Sequence, residues 1–79
     1  MAGKSETGSL TPGQSVARDN GERIGCSTGG RRVLMRRRTT TPGFVVTVDA
    51  RADLEVPTET ITSHWEVATA AFDRMMKHY

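Results

Sequence analysis

Five arginines fall within eight positions, Arg31, Arg32, Arg36, Arg37 and Arg38, and Thr39, Thr40 and Thr41 follow them directly. A guanidinium stays charged at any physiological pH and presents a planar fork of donors that matches phosphate oxygens. Threonine hydroxyls add neutral phosphate contacts. The spacing therefore marks Arg31, Arg32, Arg36, Arg37, Arg38, Thr39 and Thr40 as a candidate anion-binding set, with nucleic acid or an acidic protein surface as its partner. Charge on an exposed strand also has a plainer use, which is to block strand-to-strand aggregation. The aromatic residues are few, Phe44, Trp65, Phe72 and Tyr79. Single-strand binders stack bases on exposed rings, so the backbone of a duplex or of structured RNA is the better match.

Other chemistry is thinly supplied. Cys26 is the single cysteine, which excludes an internal disulfide and leaves too few ligands for a structural zinc site. His64 and His78, placed on one helix, would stand about 21 Å apart and could not share a metal. Asp49, Asp53 and Glu55 lack the glycine and ligand spacing of a calcium loop. No metal and no cofactor is expected. Cys26-Ser27-Thr28-Gly29-Gly30-Arg31-Arg32 has the spacing C-x-x-G-x-x-R, and it resembles the phosphate-binding loop of cysteine-dependent phosphatases. That resemblance implies a thiolate nucleophile at Cys26, loop amides that cradle a phosphate, and Arg32 forked onto its oxygens. Gly25 stands where that family places a histidine, Val33 where it places a hydroxyl residue, and a strand-like run follows where the family has a helix. The expectation is a protein without catalytic machinery.

These side chains must be positioned by short elements. Val33, Met35 and Arg37 alternate with Arg32, Leu34, Arg36 and Arg38, which is the period of a strand. Phe44, Val46 and Val48 alternate with Val45, Thr47 and Asp49 in a second run. Thr41-Pro42-Gly43-Phe44 lies between them with the residues of a type II turn, so a β-hairpin is expected. Ala52-Asp53-Leu54-Glu55-Val56 alternates again and reads as a short third strand closed by Pro57.

Ile61, Trp65, Ala68, Phe72, Met75 or Met76, and Tyr79 then recur at helical spacing, one apolar stripe. Ser63 and Glu66 have the spacing of a capping box at its start. Thr58 offers an earlier cap. Trp65, Phe72 and the two methionines are expected to cover the face of Phe44, Val46 and Val48. If that core is incomplete, Trp65, Phe72, Met75 and Met76 become a partner or dimer surface instead, and a homodimer through a strand edge or the helix would supply the missing burial.

The whole is an α+β chain of 79 residues, expected to divide into a flexible Gly/Ser/Thr-rich tail over 1–30 and a small ββ(β)α domain over 31–79. The tail carries seven of the eight glycines and too little apolar surface to offset the entropy of ordering it. Through Arg38 there are eight basic and three acidic residues; beyond it there are three and six. No run approaches eighteen apolar residues and no signal peptide is apparent, so neither membrane association nor export is expected and the cytoplasm is the default location.

An arginine-tipped hairpin backed by a helix is loosely similar to the three-stranded DNA-binding domains of some integrases and to the second half of a double-stranded-RNA-binding domain. Thr60-Ile61-Thr62-Ser63-His64 stands where the latter family has a lysine-rich helix start. From the arginine-rich hairpin, the expectation is a non-enzymatic nucleic-acid-binding module. The alternative is a small interaction or inhibitor protein, of the kind phages and mobile elements carry, set against an acidic partner.

Overall fold

The computed structural model describes residues 10–18 and 21–79. Five strands and one helix follow in order: β1 Ser15–Ala17, β2 Arg23–Cys26, β3 Arg32–Arg37, β4 Phe44–Val48, β5 Glu59–Thr62 and α1 Trp65–His78. The strands form one antiparallel sheet in chain order, so every strand pairs with its sequence neighbours. The α+β architecture is as the periodicity implies.

The sheet has five strands rather than three. Two of them, β1 and β2, come from the segment expected to be a flexible tail. Short strands with glycine and polar residues carry a weak periodic signal, and here the ladder to β3 supplies the order that composition alone does not. The rest of the expected tail, residues 1–9 and 19–20, lies outside the described residues. The alternating run at Ala52 to Val56 is not a strand. The Asp53 carboxylate accepts from the Glu55 amide at 2.8 Å and turns the chain, an Asx turn that competes with extended pairing. The partner of β4 is instead β5, starting two residues after Pro57.

Register decides which side of the sheet each residue faces. Val33 pairs with Val48, Met35 with Val46 and Arg37 with Phe44; Gly25 pairs with Val33 and Arg23 with Met35. This face meets α1. Val33, Met35, Val46, Val48, Ala68, Phe72, Met75 and Met76 are buried there, with Val56 folded in from the β4–β5 loop. Burying a side chain of the size of Phe or Met contributes about 1.5–3 kcal/mol. Phe72, Met75 and Met76 are therefore core, as the stripe implies, whereas Trp65 remains 43% exposed. Its ring meets Phe44 edge to face, with centroids 5.3 Å apart and planes at 66°.

At Gly25 the sheet lies close under the helix. A Cβ there would run into the thioether of Met76 and the Phe72 ring.

The helix begins later than the capping box implies. His64 is the N-cap, extended at φ −103° and ψ 125°, and no side chain caps the first turn. Pairing of Thr62 with Phe44 holds the chain extended to the end of β5, which leaves Ser63 outside the helix. The Thr62 hydroxyl accepts from the His64 amide at 3.1 Å. At the other end, Lys77 and His78 sit in the last turn, where the helix dipole favours positive charge.

Candidate nucleic-acid interface

The β3–β4 connection is longer than a tight turn. The Arg38 amide donates to the Gly43 carbonyl at 3.0 Å, leaving Thr39, Thr40, Thr41 and Pro42 as the tip. Gly43 has φ +130°, and a Cβ there would lie 2.9 Å from the Thr62 carbonyl oxygen. Glycine is thus required both by its backbone conformation and by the approach of β5.

Arg36, Arg37, Arg38, Thr39, Thr40 and Val45 line an open depression of about 190 Å³ at this tip. The three arginines are exposed and spread around the hairpin. Arg36 lies on the face away from α1 and pairs with Val45; Arg37 lies on the α1 face and pairs with Phe44. The Arg37 guanidinium stands 5.8 Å from the centre of the Phe44 ring. Among the described residues, Arg31, Arg32, Arg36 and Arg38 form no ion pair.

The seven residues singled out in the sequence do not form one patch. Arg32 and Arg37 begin and end β3, about 17 Å apart in an extended strand. Arg36, Arg37, Arg38, Thr39 and Thr40 gather at one end of the sheet. Arg31 and Arg32 sit at the other, beside the β2–β3 turn. Linear density of charge concealed this division, because a strand carries its two ends far apart.

That turn contains the phosphatase-like spacing, and its backbone is already engaged. The Ser27 amide donates to the Arg31 carbonyl at 2.8 Å, the Gly30 amide to the Ser27 carbonyl at 2.8 Å, and the Thr28 amide to the Met76 carbonyl at 2.9 Å. The Arg31 amide donates to the buried Ser27 hydroxyl at 2.9 Å. A phosphate cradle needs such amides free and convergent. The Thr28 hydroxyl also donates to the Lys77 carbonyl at 3.1 Å, so the turn caps the C-terminal end of α1. The partial charge at that end is negative, opposite to what a phosphate needs. Cys26 pairs with Arg32 on the face away from the helix.

A second cluster straps the β4–β5 loop to the end of α1. His78 Nε2 lies 3.0 Å from Asp53 Oδ2, and the Tyr79 hydroxyl donates to the Val56 carbonyl. The hydrogen bond from His78, followed by that from the Glu55 amide, holds the Asp53 carboxyl below its ordinary pKa. No group of three or more His, Cys, Asp or Glu capable of holding a metal occurs among the described residues. No described helix is long and apolar enough to cross a membrane. Compared with known proteins, the chain matches no family model, no curated protein and no solved structure.

Proposed function

We propose that this protein is a non-enzymatic nucleic-acid-binding module that grips backbone phosphates with the tip of its β3–β4 hairpin. The observation that supports this most directly is the depression formed by Arg36, Arg37, Arg38, Thr39 and Thr40, with Arg36 and Arg38 lacking any ion pair among the described residues. Guanidinium groups without an internal carboxylate can bind phosphate and break no ion pair in doing so. Two neighbouring hydroxyls supply the neutral donors that backbone recognition commonly adds. A hairpin is also narrow enough to enter a major groove, and arginines on both of its faces can reach the two flanking strands.

The test is a fluorescence-anisotropy titration of duplex DNA, duplex RNA and single strands at several salt concentrations. Replacing Arg36, Arg37 and Arg38 with Ala should reduce the slope of log K against log salt by about 0.9 for each duplex phosphate no longer neutralised. An unchanged slope sinks the proposal. Stoichiometric, nuclease-insensitive co-purification of an acidic protein, without duplex binding at low salt, would transfer the same arginines to a protein partner.

A further inference from the structure

The face of the sheet turned away from α1 has no covering element among the described residues, and its composition differs from that of the hairpin tip. Cross-strand register aligns Val16, Ile24, Leu34, Thr47 and Glu59 in one row, and Arg36, Val45 and Ile61 in the next. Arg32 stands in a third row with Cys26. Asp49, whose amide donates to the Arg32 carbonyl at 2.8 Å, continues β4 opposite Arg32. The centre is a diagonal aliphatic stripe of Val16, Ile24, Leu34, Val45 and Ile61. The first four are half-buried by their neighbours, and Ile61 is 52% exposed.

We propose that two copies of the chain pack these faces together, with the two-fold axis running along the strands between β3 and β4. The composition and register of the face select a second copy as the occupant. The charges on it are mixed, Arg32 and Arg36 against Asp49 and Glu59. A polyanion gains little from such a surface, whereas Arg32 and Asp49, opposite one another across β3 and β4, can complement their counterparts on a second copy. An axis along the strands sets β3 over β4 of the second copy in the same row, so Arg32 meets Asp49 of the second copy and the pairing is repeated by symmetry. An axis across the strands, centred on Leu34, sets Arg32 over Arg36 of the second copy instead, and like charge opposes it.

The size fits a reversible dimer. A sheet of five strands with three to six residues each covers about 24 by 15 Å, within a molecular outline of 37 by 29 Å. The flat area, about 350 Å², is less than half of the roughly 800 Å² per partner of standard stable interfaces, which puts the contact in the weak, transient class. The resulting assembly is a sandwich of two aligned sheets about 10 Å apart, and its axis brings both arginine hairpins to the same end.

The experiment is sedimentation velocity on the full chain without nucleic acid, from about 5 µM to 1 mM, bracketing the micromolar affinity expected of a small interface. The expected result is a shift from the 8.6 kDa monomer toward twice that mass as concentration rises. Ile61→Glu, at an exposed edge position, should raise the dimer Kd at least about tenfold, because a buried unpaired carboxylate opposes association. Leu34→Glu should do more, with circular dichroism confirming its fold; should it not fold, Ile61→Glu still decides. Asp49→Arg and Arg32→Asp should each weaken the dimer, and the double swap should restore it.

A monomer at every concentration overturns the proposal. Additive weakening in the double swap overturns the axis. Amide shifts confined to Ile24, Leu34 and Ile61 on adding duplex would give the face to nucleic acid instead. Association is measured without nucleic acid and through residues outside the hairpin tip, so its failure and that of the phosphate-binding reading are separate results.

Discussion

Arg37 and Phe44 are opposite one another across β3 and β4, and the guanidinium lies over the ring at 5.8 Å. The same ring meets Trp65 edge to face, so one phenyl group links the basic hairpin to the start of α1. A cation over an exposed aromatic face is worth about 0.5–1 kcal/mol, and an aromatic pair about 0.5–1.5 kcal/mol beyond burial. Phe44→Leu preserves apolar bulk and removes both interactions. It should lower unfolding free energy by about 1–2.5 kcal/mol in a urea titration, from those two contributions. An unchanged midpoint would mean that the ring acts only as filler.

The docking of Thr28 against the end of α1 gives a second prediction. Thr28→Val keeps the amide that donates to Met76 and deletes the hydroxyl that donates to Lys77. The destabilisation should be about 0.5–1 kcal/mol, the net worth of an ordinary hydrogen bond. Hydrogen exchange of the last helical turn should quicken with it, while exchange in β3 and β4 stays slow.

Two glycines should not tolerate a methyl group. Gly43→Ala forces a side chain into a positive-φ position and against the Thr62 carbonyl, at a cost of about 1–3 kcal/mol. Gly25→Ala displaces the flexible end of Met76 and the Phe72 ring, an overpacking cost of about 1–3 kcal/mol. Thermal melts separate the two from Gly13→Ala, where an added Cβ meets nothing within 4 Å and only the positive φ opposes it.

Acid should loosen the strap between the β4–β5 loop and the helix end. Asp53 has a lowered pKa in the folded chain, first through its hydrogen bond with His78. A carboxyl depressed in this way contributes stability above its unfolded pKa of about 3.9, and that contribution disappears as pH falls through the lower native value. Asp53→Asn should therefore flatten the acid limb of the melting temperature below about pH 4, and near neutrality it should change the melting temperature only by the worth of the missing ionic hydrogen bond. An acid limb identical to that of the unaltered chain would show that the pair contributes nothing.

The β3–β4 hairpin, the inward face of Phe44, Val46 and Val48 and the helix core of Ala68, Phe72, Met75 and Met76 were all legible in the chain, because each repeats its apolar residues at the period of its element. β1 and β2 were not. Val16 and Ile24 are isolated among glycines and charges, and their partners Ile24 and Leu34 are set by register, which local composition does not encode. The alternating residues 52–56 misled for a related reason. Val56 is buried through a loop that an Asx turn bends back, not through a ladder. At the candidate site, the charge run was plain, but its separation into two ends of β3 depended on knowing where the strand began and stopped. The helix-capping role of Thr28 joins residues 49 apart in sequence, beyond the reach of any local pattern.

Because the five strands are joined in chain order, the sheet can be assembled by successive local closures, each between segments already close along the chain, and the entropic cost of long-range loop formation is deferred. The docking of Thr28 onto the end of α1 is one of the distant contacts, expected to complete after the meander exists. The hypothesis is a transition state rich in the β3–β4 hairpin and poor in the helix-end cap. Phi-values high at Val46 and near zero at Thr28 are its kinetic signature, and the reverse ranking would refute it.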